Sequence, residues 1–311
     1  MLELPDAAEG VVLIAARITR GHGRRMARSV HLEVNADFIE ALSAQGLNSF
    51  DDFMCVQSDD YAARGRTGSC VRLTLRAKGS SRTFYLKRHR YVSPIWKRAF
   101  HRSRARKEHG NLLWLRAHGF PTPEWIAWGE ERRHLCLTSC FVLTAGIDDA
   151  QSLDQFLSAH SGYPPSTEAV LQKRRAIQVL ADHVRAMHAN GYVDRDLHFR
   201  NILIARDANG SHRFTFIDSP KGGISSGLWL KRGIRYDLAS LNKHARRFLS
   251  RTDCLRFYLR YRGKSELGLH DRLEMARIEA LSAHMRRKSE RKRAQQSARR
   301  PASPVPGTTA R

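Results

Sequence analysis

Four small acidic or amide side chains stand close together in residues 190–223 of a chain otherwise rich in arginine. They are Asp194, Asp196, Asn201 and Asp218, in the stretch NGYVDRDLHFRNILIARDANGSHRFTFIDSPKGG. Carboxylate and amide oxygens are the ligands that hard cations such as Mg²⁺ prefer. A metal ion and a carboxylate that positions a hydroxyl, without a nucleophilic side chain, are the equipment of phosphoryl transfer.

A predicted β-hairpin brings two of these side chains together. NILIA and FTFID are short apolar strands, and the Asn-Gly pair between them is a strong hairpin signal. Because a hairpin returns its ends to one place, Asn201 and Asp218 become neighbours, and we predict them as metal ligands. Asp196, on the loop that leads into the hairpin, is the predicted catalytic residue. Taken alone, these residues would be turn residues that cap a hairpin, so the interpretation depends on the segments upstream.

Upstream segments supply the parts that a phosphate-binding site needs. Lys87 ends the apolar strand FYL rather than lying in a run of charges, and Glu108 lies in the predicted helix RARKEHGNLLWLRA. Gly65 and Gly68, in ARGRTGS, lie between two strand-like segments.

Together these motifs resemble those of the protein-kinase-like superfamily. DRDLHFRNIL followed by FID resembles the H-R-D-x-x-x-x-N and D-F-G signatures, and Asp196 and Asn201 keep the spacing of the first. The resemblance implies a bilobal α+β fold, with a β-rich N-lobe over 51–144 and a helical C-lobe over 145–285. Residues 1–50 would form an N-terminal extension.

The same resemblance implies a role for each upstream residue. Lys87 would bind the phosphates of ATP, and Glu108 would pair with that lysine. Gly65 and Gly68 would belong to a phosphate-covering loop, although ARGRTGS lacks the full G-x-G-x-x-G pattern. Asp237, just before LASLNKHA, would brace the catalytic loop.

A closer resemblance, over most of 50–265, is to the lipopolysaccharide kinase (Kdo/heptose kinase) family. It rests on FYLKRHR, RKEHGNLLWLRAHGFPTPEWIAWGE, SLDQFL, MHANGYVDRDLHFRNIL and RYDLASLNKHARRFLSRTDCLRFYLRYR. It implies ATP and Mg²⁺ as cofactors and a Kdo or heptose residue of the lipopolysaccharide inner core as acceptor. It also implies a peripheral position on the cytoplasmic face of the inner membrane, with no obligate protein partner.

Two departures from the kinase pattern concern residues beside the proposed site. Asp194 replaces the histidine of H-R-D, and we expect it to be a structural hydrogen-bond acceptor rather than a second base. Ser219-Pro220 replaces the aromatic residue after the metal-binding aspartate, so regulation by a flipping phenylalanine is not expected. His198, two residues after Asp196, is typical of sugar and small-molecule kinases, but a structural role fits it equally well.

Charge is the unusual feature of the composition. A net charge of +24 and 54 Lys+Arg residues imply polyanionic partners. Tyr91, Trp96 and Phe100 are interleaved with the basic residues of 88–107, a mixture that suits an anionic membrane surface; it would also suit RNA, but nucleic acid is not the expected partner. The polar basic tail over 286–311 is expected to be disordered.

The remaining composition narrows the class of protein. Five cysteines without a CxxC pair favour a reduced cytosolic protein, and the N-terminal apolar run VVLIAA is too short to cross a bilayer. Two other functions stay open from the sequence: a protein kinase or small-molecule phosphotransferase of the same fold, or a catalytically weak kinase-like module that binds anionic lipid or nucleic acid.

Overall fold

The computed structural model describes residues 11–13, 28–77, 80–92, 99–161, 166–207 and 210–298. The chain divides into two units, the first taken from 1–159 and 200–223 and the second from 160–199 and 224–311. The division differs from the lobes that we predicted, because the hairpin after the catalytic loop belongs to the first, β-rich unit.

A seven-stranded antiparallel sheet dominates the first unit. The strands lie in the order β1 (Val11–Leu13), β2 (Arg28–Asn35), β6 (Trp125–Arg133), β7 (Cys136–Ala145), β5 (Ser80–Arg90), β4 (Gly68–Ala77) and β3 (Tyr61–Arg64). Along β5, side chains alternate between the two faces. Phe84 and Leu86 are fully buried on one face, and Lys87 therefore projects from the other.

Residues 11–13 and 28–35, which we predicted as part of an N-terminal extension, form two strands of this sheet. Strand β2 pairs with β6, and a short 3₁₀ helix, Ala36–Phe38, follows it with Asn35 as its N-cap. Two helices come next, α1 (Ile39–Ser43) and α2 (Phe50–Cys55). Gly46 separates them with a φ of 71°, a left-handed conformation that favours glycine. Phe53 of α2 then stacks on Phe141 with ring centroids 4.4 Å apart.

The opposite face of the sheet carries helix α3 (Arg104–Ala117), which the sequence predicts. Ser103 caps it by accepting a hydrogen bond from the backbone N–H of Arg106. Leu112 packs with Trp125 and Trp128 of β6 in a second apolar cluster. This packing fixes the helix that carries Glu108.

The hairpin predicted from NILIA and FTFID is confirmed in the first unit. Strands β10 (Ile202–Arg206) and β11 (His212–Phe216) pair antiparallel. The short strand β8 (Gln151–Ser152), which leads into helix α4 (Leu153–Ala159), pairs with the outer side of β10.

The second unit is mainly helical. Its elements are α5 (Thr167–Ala189), β9 (Tyr192–Val193), α6 (Gly227–Ala245), α7 (Arg251–Arg262) and α8 (Leu269–Ala298). Strand β12 (Gly223–Ile224) and the 3₁₀ helix Phe199–Asn201 lie where the chain passes between the units. Among the described residues, no helix has the length and apolar character needed to cross a membrane.

The end of α8 corrects our expectation of a disordered tail from 286. Residues 286–298 continue the helix, and its flank is held by polar contacts. The Arg286 guanidinium contacts Glu279 at 3.1 Å, and Lys243 of α6 donates to the Ser289 hydroxyl at 2.7 Å. The rest of the predicted tail, 299–311, lies outside the described residues.

His109, next to Glu108 on α3, is buried among aromatic rings. Its ring centroid lies 4.6 Å from that of Trp125 and 5.4 Å from that of Trp128. Its Nε2 lies 3.8 Å from Glu33, a carboxylate that also contacts His31. Burial lowers the pKa of His109 to about 4, although the Glu33 charge acts in the opposite direction.

We expect acid to destabilise the first unit through His109. The folded imidazole stays neutral down to about pH 4, whereas in the unfolded chain it takes up a proton near its ordinary pKa of 6.5. The unfolding free energy should therefore fall by roughly 2 kcal/mol between pH 7 and pH 5. Urea denaturation at both pH values measures it. His109→Phe keeps an aromatic ring that cannot take up a proton, so its unfolding free energy should not show this fall between pH 7 and pH 5. An equal fall in the variant and the wild type would mean that other groups cause it.

Candidate functional site

The site in the first unit is built around the Lys87 ammonium. Its Nζ lies 2.7 Å from Glu108 Oε1 and 3.4 Å from Asp218 Oδ1. Strand β5, helix α3 and the end of the β10–β11 hairpin each supply one of these residues. The structure thus brings together three of the residues that the sequence predicts.

Burial and charge act against each other at this ion pair. Burial lowers the pKa of Lys87, but the Glu108 and Asp218 carboxylates outweigh it and hold that pKa above its ordinary value. Burial raises the pKa of Glu108, and the Lys87 ammonium partly offsets this. Lys87 therefore stays cationic at neutral pH, as a lysine that binds polyphosphate must.

Asn201 and Asp218 lie at the same end of the hairpin. Ile202 pairs with Phe216, and the backbone N–H of Ile217 donates to the Asn201 carbonyl at 2.9 Å. Asn201 is buried, while Asp218 is half-exposed with a φ of 59°. Such left-handed backbone is uncommon outside glycine and is often found at functional sites.

The donor set at this hairpin end fits Mg²⁺. No cluster of three or more His, Cys, Asp or Glu side chains that could hold a metal occurs among the described residues. Mg²⁺, however, is usually held by one or two protein oxygens, with water and substrate phosphates completing the shell. An amide oxygen from Asn201 and a carboxylate from Asp218 match that requirement.

Asn111 is a residue of this site that sequence reasoning missed. Its Nδ2 donates to the backbone carbonyls of Ser219 at 2.6 Å and Gly222 at 3.1 Å. It thereby fixes the segment that follows Asp218, where Ser219-Pro220 replaces the aromatic residue of the kinase pattern. Its position three residues after Glu108, on the same face of α3, was the available signal.

Gly65 lies in the turn after β3, and Gly68 is the first residue of β4. The N–H of Gly65 donates to the Gly68 carbonyl at 2.8 Å. A Cβ added at Gly68 would come within 3.1 Å of the Arg88 carbonyl and 3.2 Å of His89 Nδ1. Strand packing therefore accounts for glycine at 68, and contact of this turn with phosphate stays a prediction.

The loop that carries Asp196, in the second unit, is held by buried carboxylates. Asp237 Oδ2 and Oδ1 accept the backbone N–H groups of Asp194 and Arg195, each at 2.7 Å. Asp194 Oδ1 in turn accepts the N–H of Asp196 at 3.0 Å. The predictions of Asp237 as a brace and of Asp194 as a structural acceptor are confirmed, and Arg195 takes a left-handed φ of 59° between them.

Two histidines complete the surroundings of this loop. His188, which sequence reasoning missed, places Nε2 3.4 Å from Asp237 Oδ2 and Nδ1 2.9 Å from the Tyr261 hydroxyl. His198 places Nε2 3.5 Å from Asp196 Oδ1. Asp196 is therefore positioned through its backbone by Asp194 and flanked by a second titratable group.

Comparison with known proteins finds a family match and a likeness to solved structures. The family model described as "Lipopolysaccharide kinase (Kdo/WaaP) family" matches residues 57–261, about two thirds of the chain. No curated protein matches. A solved structure titled "WaaP in complex with acyl carrier protein" is similar with a TM-score of 0.59 and 22% identity, covering 84% of this chain and 98% of that one. This likeness confirms a kinase-like fold.

Removing the Asp237 carboxylate should destabilise the second unit strongly. Asp237→Ala leaves the buried backbone N–H of Asp194 and the partly buried N–H of Arg195 without acceptors, so we expect the unfolding free energy to fall by about 3 kcal/mol. Asp237→Asn keeps one oxygen acceptor, so its unfolding free energy should fall by less than that of Asp237→Ala. Ser240→Ala, equally buried on α6 with a 3.9 Å contact to the Met285 sulfur, is the matched control. If urea denaturation shows equal losses for both alanine variants, Asp237 is not a brace.

Proposed function

The chain belongs to the lipopolysaccharide kinase (Kdo/WaaP) family, and on that premise we propose that it phosphorylates a Kdo or heptose hydroxyl of the lipopolysaccharide inner core. The family makes it an ATP-dependent phosphotransferase with an alcohol group as acceptor. The observation that carries the proposal is the Lys87 ammonium held between Glu108 and Asp218.

Lys87 is proposed to bind the α- and β-phosphates of ATP. Its raised pKa keeps it charged, and the 2.7 Å contact with Glu108 fixes the direction of its side chain. Asn201 and Asp218 are the residues that would hold Mg²⁺. When bound, the cation neutralises charge on the phosphate oxygens.

Asp196 is proposed to orient the acceptor hydroxyl and to accept its proton. The hydroxyl oxygen forms a bond to the γ-phosphorus, the bond from that phosphorus to the bridging oxygen breaks, and ADP leaves. The backbone contacts of Asp194 and Asp237 support this role, because a positioning base needs a loop that does not move.

The test is an acceptor assay joined to lipopolysaccharide analysis. Lys87→Met and Asp196→Asn should each lower the turnover of core lipopolysaccharide by roughly 100-fold or more, since each removes a group used in the transition state. Lys292→Met, an exposed lysine on α8, is the matched control. Mass spectrometry of lipopolysaccharide from cells without the gene should show one core phosphate missing.

Two results would contradict this proposal, and each would favour a different function. Labelling of protein or small-molecule acceptors, but not of core lipopolysaccharide, would favour another kinase of the same fold. Unchanged nucleotide binding and function in Lys87→Met and Asp218→Ala would favour a binding module.

We further propose that the protein binds the anionic membrane surface through the start of α6. Leu228 and Trp229 are 71% and 67% exposed, and the Arg232 guanidinium lies 5.3 Å from the Trp229 ring centroid. Exposed tryptophan beside basic residues suits the headgroup region. The stretch over 88–107 is a weaker candidate: Tyr91 is half-buried, Trp96 lies outside the described residues, and Phe100 alone is 80% exposed.

Replacing Leu228 and Trp229 by smaller side chains should weaken the binding of the protein to lipid vesicles. Leu228→Ser/Trp229→Ala should lower partitioning onto vesicles of phosphatidylethanolamine and phosphatidylglycerol by about tenfold or more, because two large side chains leave the interface. Co-sedimentation measures it. Leu135→Ser/Leu171→Ser removes exposed apolar side chains elsewhere, and an equal loss in that control would contradict the assignment.

A further inference from the structure

A strongly basic cavity of about 430 Å³ lies in the first unit, beside the β3–β4 turn and the start of α3. Its lining is cationic, aromatic or apolar: Arg66, Thr67, His89, Arg90, Tyr91, Val92, His101, Arg102, Arg104, Lys107 and Leu137. Lys87, Glu108, Asn201 and Asp218 do not line it. The residues proposed to hold the metal and the Lys87 ion pair therefore do not form this cavity, although Arg66 and Thr67 belong to the turn between Gly65 and Gly68.

The walls of the cavity are fixed by backbone hydrogen bonds. Arg90 N–H donates to the Thr67 carbonyl at 2.8 Å, which joins the end of β5 to the turn after β3. Tyr91 N–H donates to the Thr138 carbonyl at 2.9 Å, and the Tyr91 hydroxyl accepts the N–H of Arg104 at 3.0 Å. The basic stretch that we expected as a membrane-facing segment therefore contributes a folded wall.

The arginines of the cavity and Lys107 form no salt bridge within the described part of the chain. No carboxylate lines the cavity, and no ion pair among the described residues involves its arginines or Lys107. Elsewhere in the unit arginines do pair, as Arg132 does with Glu130 at 3.0 Å. Five like charges around one concave surface concentrate an anion there.

Side chains, rather than the helix start, would recognise that anion. The first-turn N–H groups of Arg104 and Arg106 already donate to Tyr91 and Ser103. Arginine side chains bind phosphate through paired N–H donors, and a lysine adds a point charge. The half-buried ring of Tyr91 and the exposed side chain of Val92 offer surface for an uncharged portion of the same ligand.

We infer that this cavity binds a phosphate group that the saccharide acceptor already carries, so that the enzyme selects an acceptor phosphorylated at another position. The inference rests on the proposed function. The volume lies in the range of small-molecule pockets and exceeds what one phosphate needs, which fits a phosphorylated sugar rather than a free ion.

The binding test uses glucose 6-phosphate, glucose and inorganic phosphate as calorimetric probes of the full chain. Glucose 6-phosphate should bind more tightly than inorganic phosphate, and glucose should not bind. In Arg90→Gln/Lys107→Gln, the affinity for glucose 6-phosphate should fall by about tenfold or more, because two charged hydrogen-bond donors are lost. Arg104 is left intact because its charge also acts on Glu108.

A control variant and a competition experiment with ADP show whether glucose 6-phosphate binds in the cavity. Arg291→Gln/Lys292→Gln removes the same charge from the exposed surface of α8 and should bind like the wild type. Saturating ADP with Mg²⁺ should leave the affinity for glucose 6-phosphate within about twofold, because Lys87, Asn201 and Asp218 do not line the cavity. Displacement by ADP, or equal weakening in both double variants, overturns the inference.

A kinetic experiment tests this inference independently of the proposed function. The wild-type KM should be about tenfold lower for intact core lipopolysaccharide than for phosphatase-treated material, and in Arg90→Gln/Lys107→Gln the two KM values should become equal. Equal wild-type values for both acceptors overturn the inference and leave the kinase proposal standing. Transfer to neither acceptor overturns the kinase proposal, while the calorimetry still decides whether the cavity binds sugar phosphate.

Discussion

The first unit depends on one charged contact, the Lys87 ammonium between two carboxylates. Its partners come from a helix 21 residues away in sequence and from a hairpin 131 residues away. Burying a charge is costly unless it is paired, so the three elements must meet for the lysine to be tolerated. The apolar packing of α3 on β6 and the hydrogen bonds of Asn111 supply the precision that this contact needs.

A similar constraint operates in the second unit, with a carboxylate at its centre. Asp237 is fully buried and holds the catalytic loop through two backbone N–H groups, with His188 behind it. Asp194, in the position where kinases carry histidine, extends this support to Asp196. Arg195 and Asp218, both with left-handed backbone, show that local strain occurs beside the proposed chemistry in each unit.

The arginine and lysine residues that give the chain its positive charge lie in several different environments. Some arginines are structural, as where Arg235 pairs with Glu274 on α8. Others line the basic cavity, which has no carboxylate in its lining, and Arg232 lies beside the exposed Trp229. Net charge alone could not separate these uses, because it is the position of each arginine relative to acidic residues that decides whether it binds a partner.

The sequence by itself determined the kinase-like fold, the family and the order of the motifs. These depend on local signals: alternation in β4 and β5, Asn-Gly before β11, and the five-residue spacing of Asp196 and Asn201. Tertiary structure decided which elements meet. Four features depend on contacts between residues distant in sequence, whose pairing local periodicity does not encode. They are the joining of β2 to the sheet, the role of Asn111, the contact of His188 with Asp237, and the cavity in which Arg90 and Tyr91 meet Thr67 and Thr138.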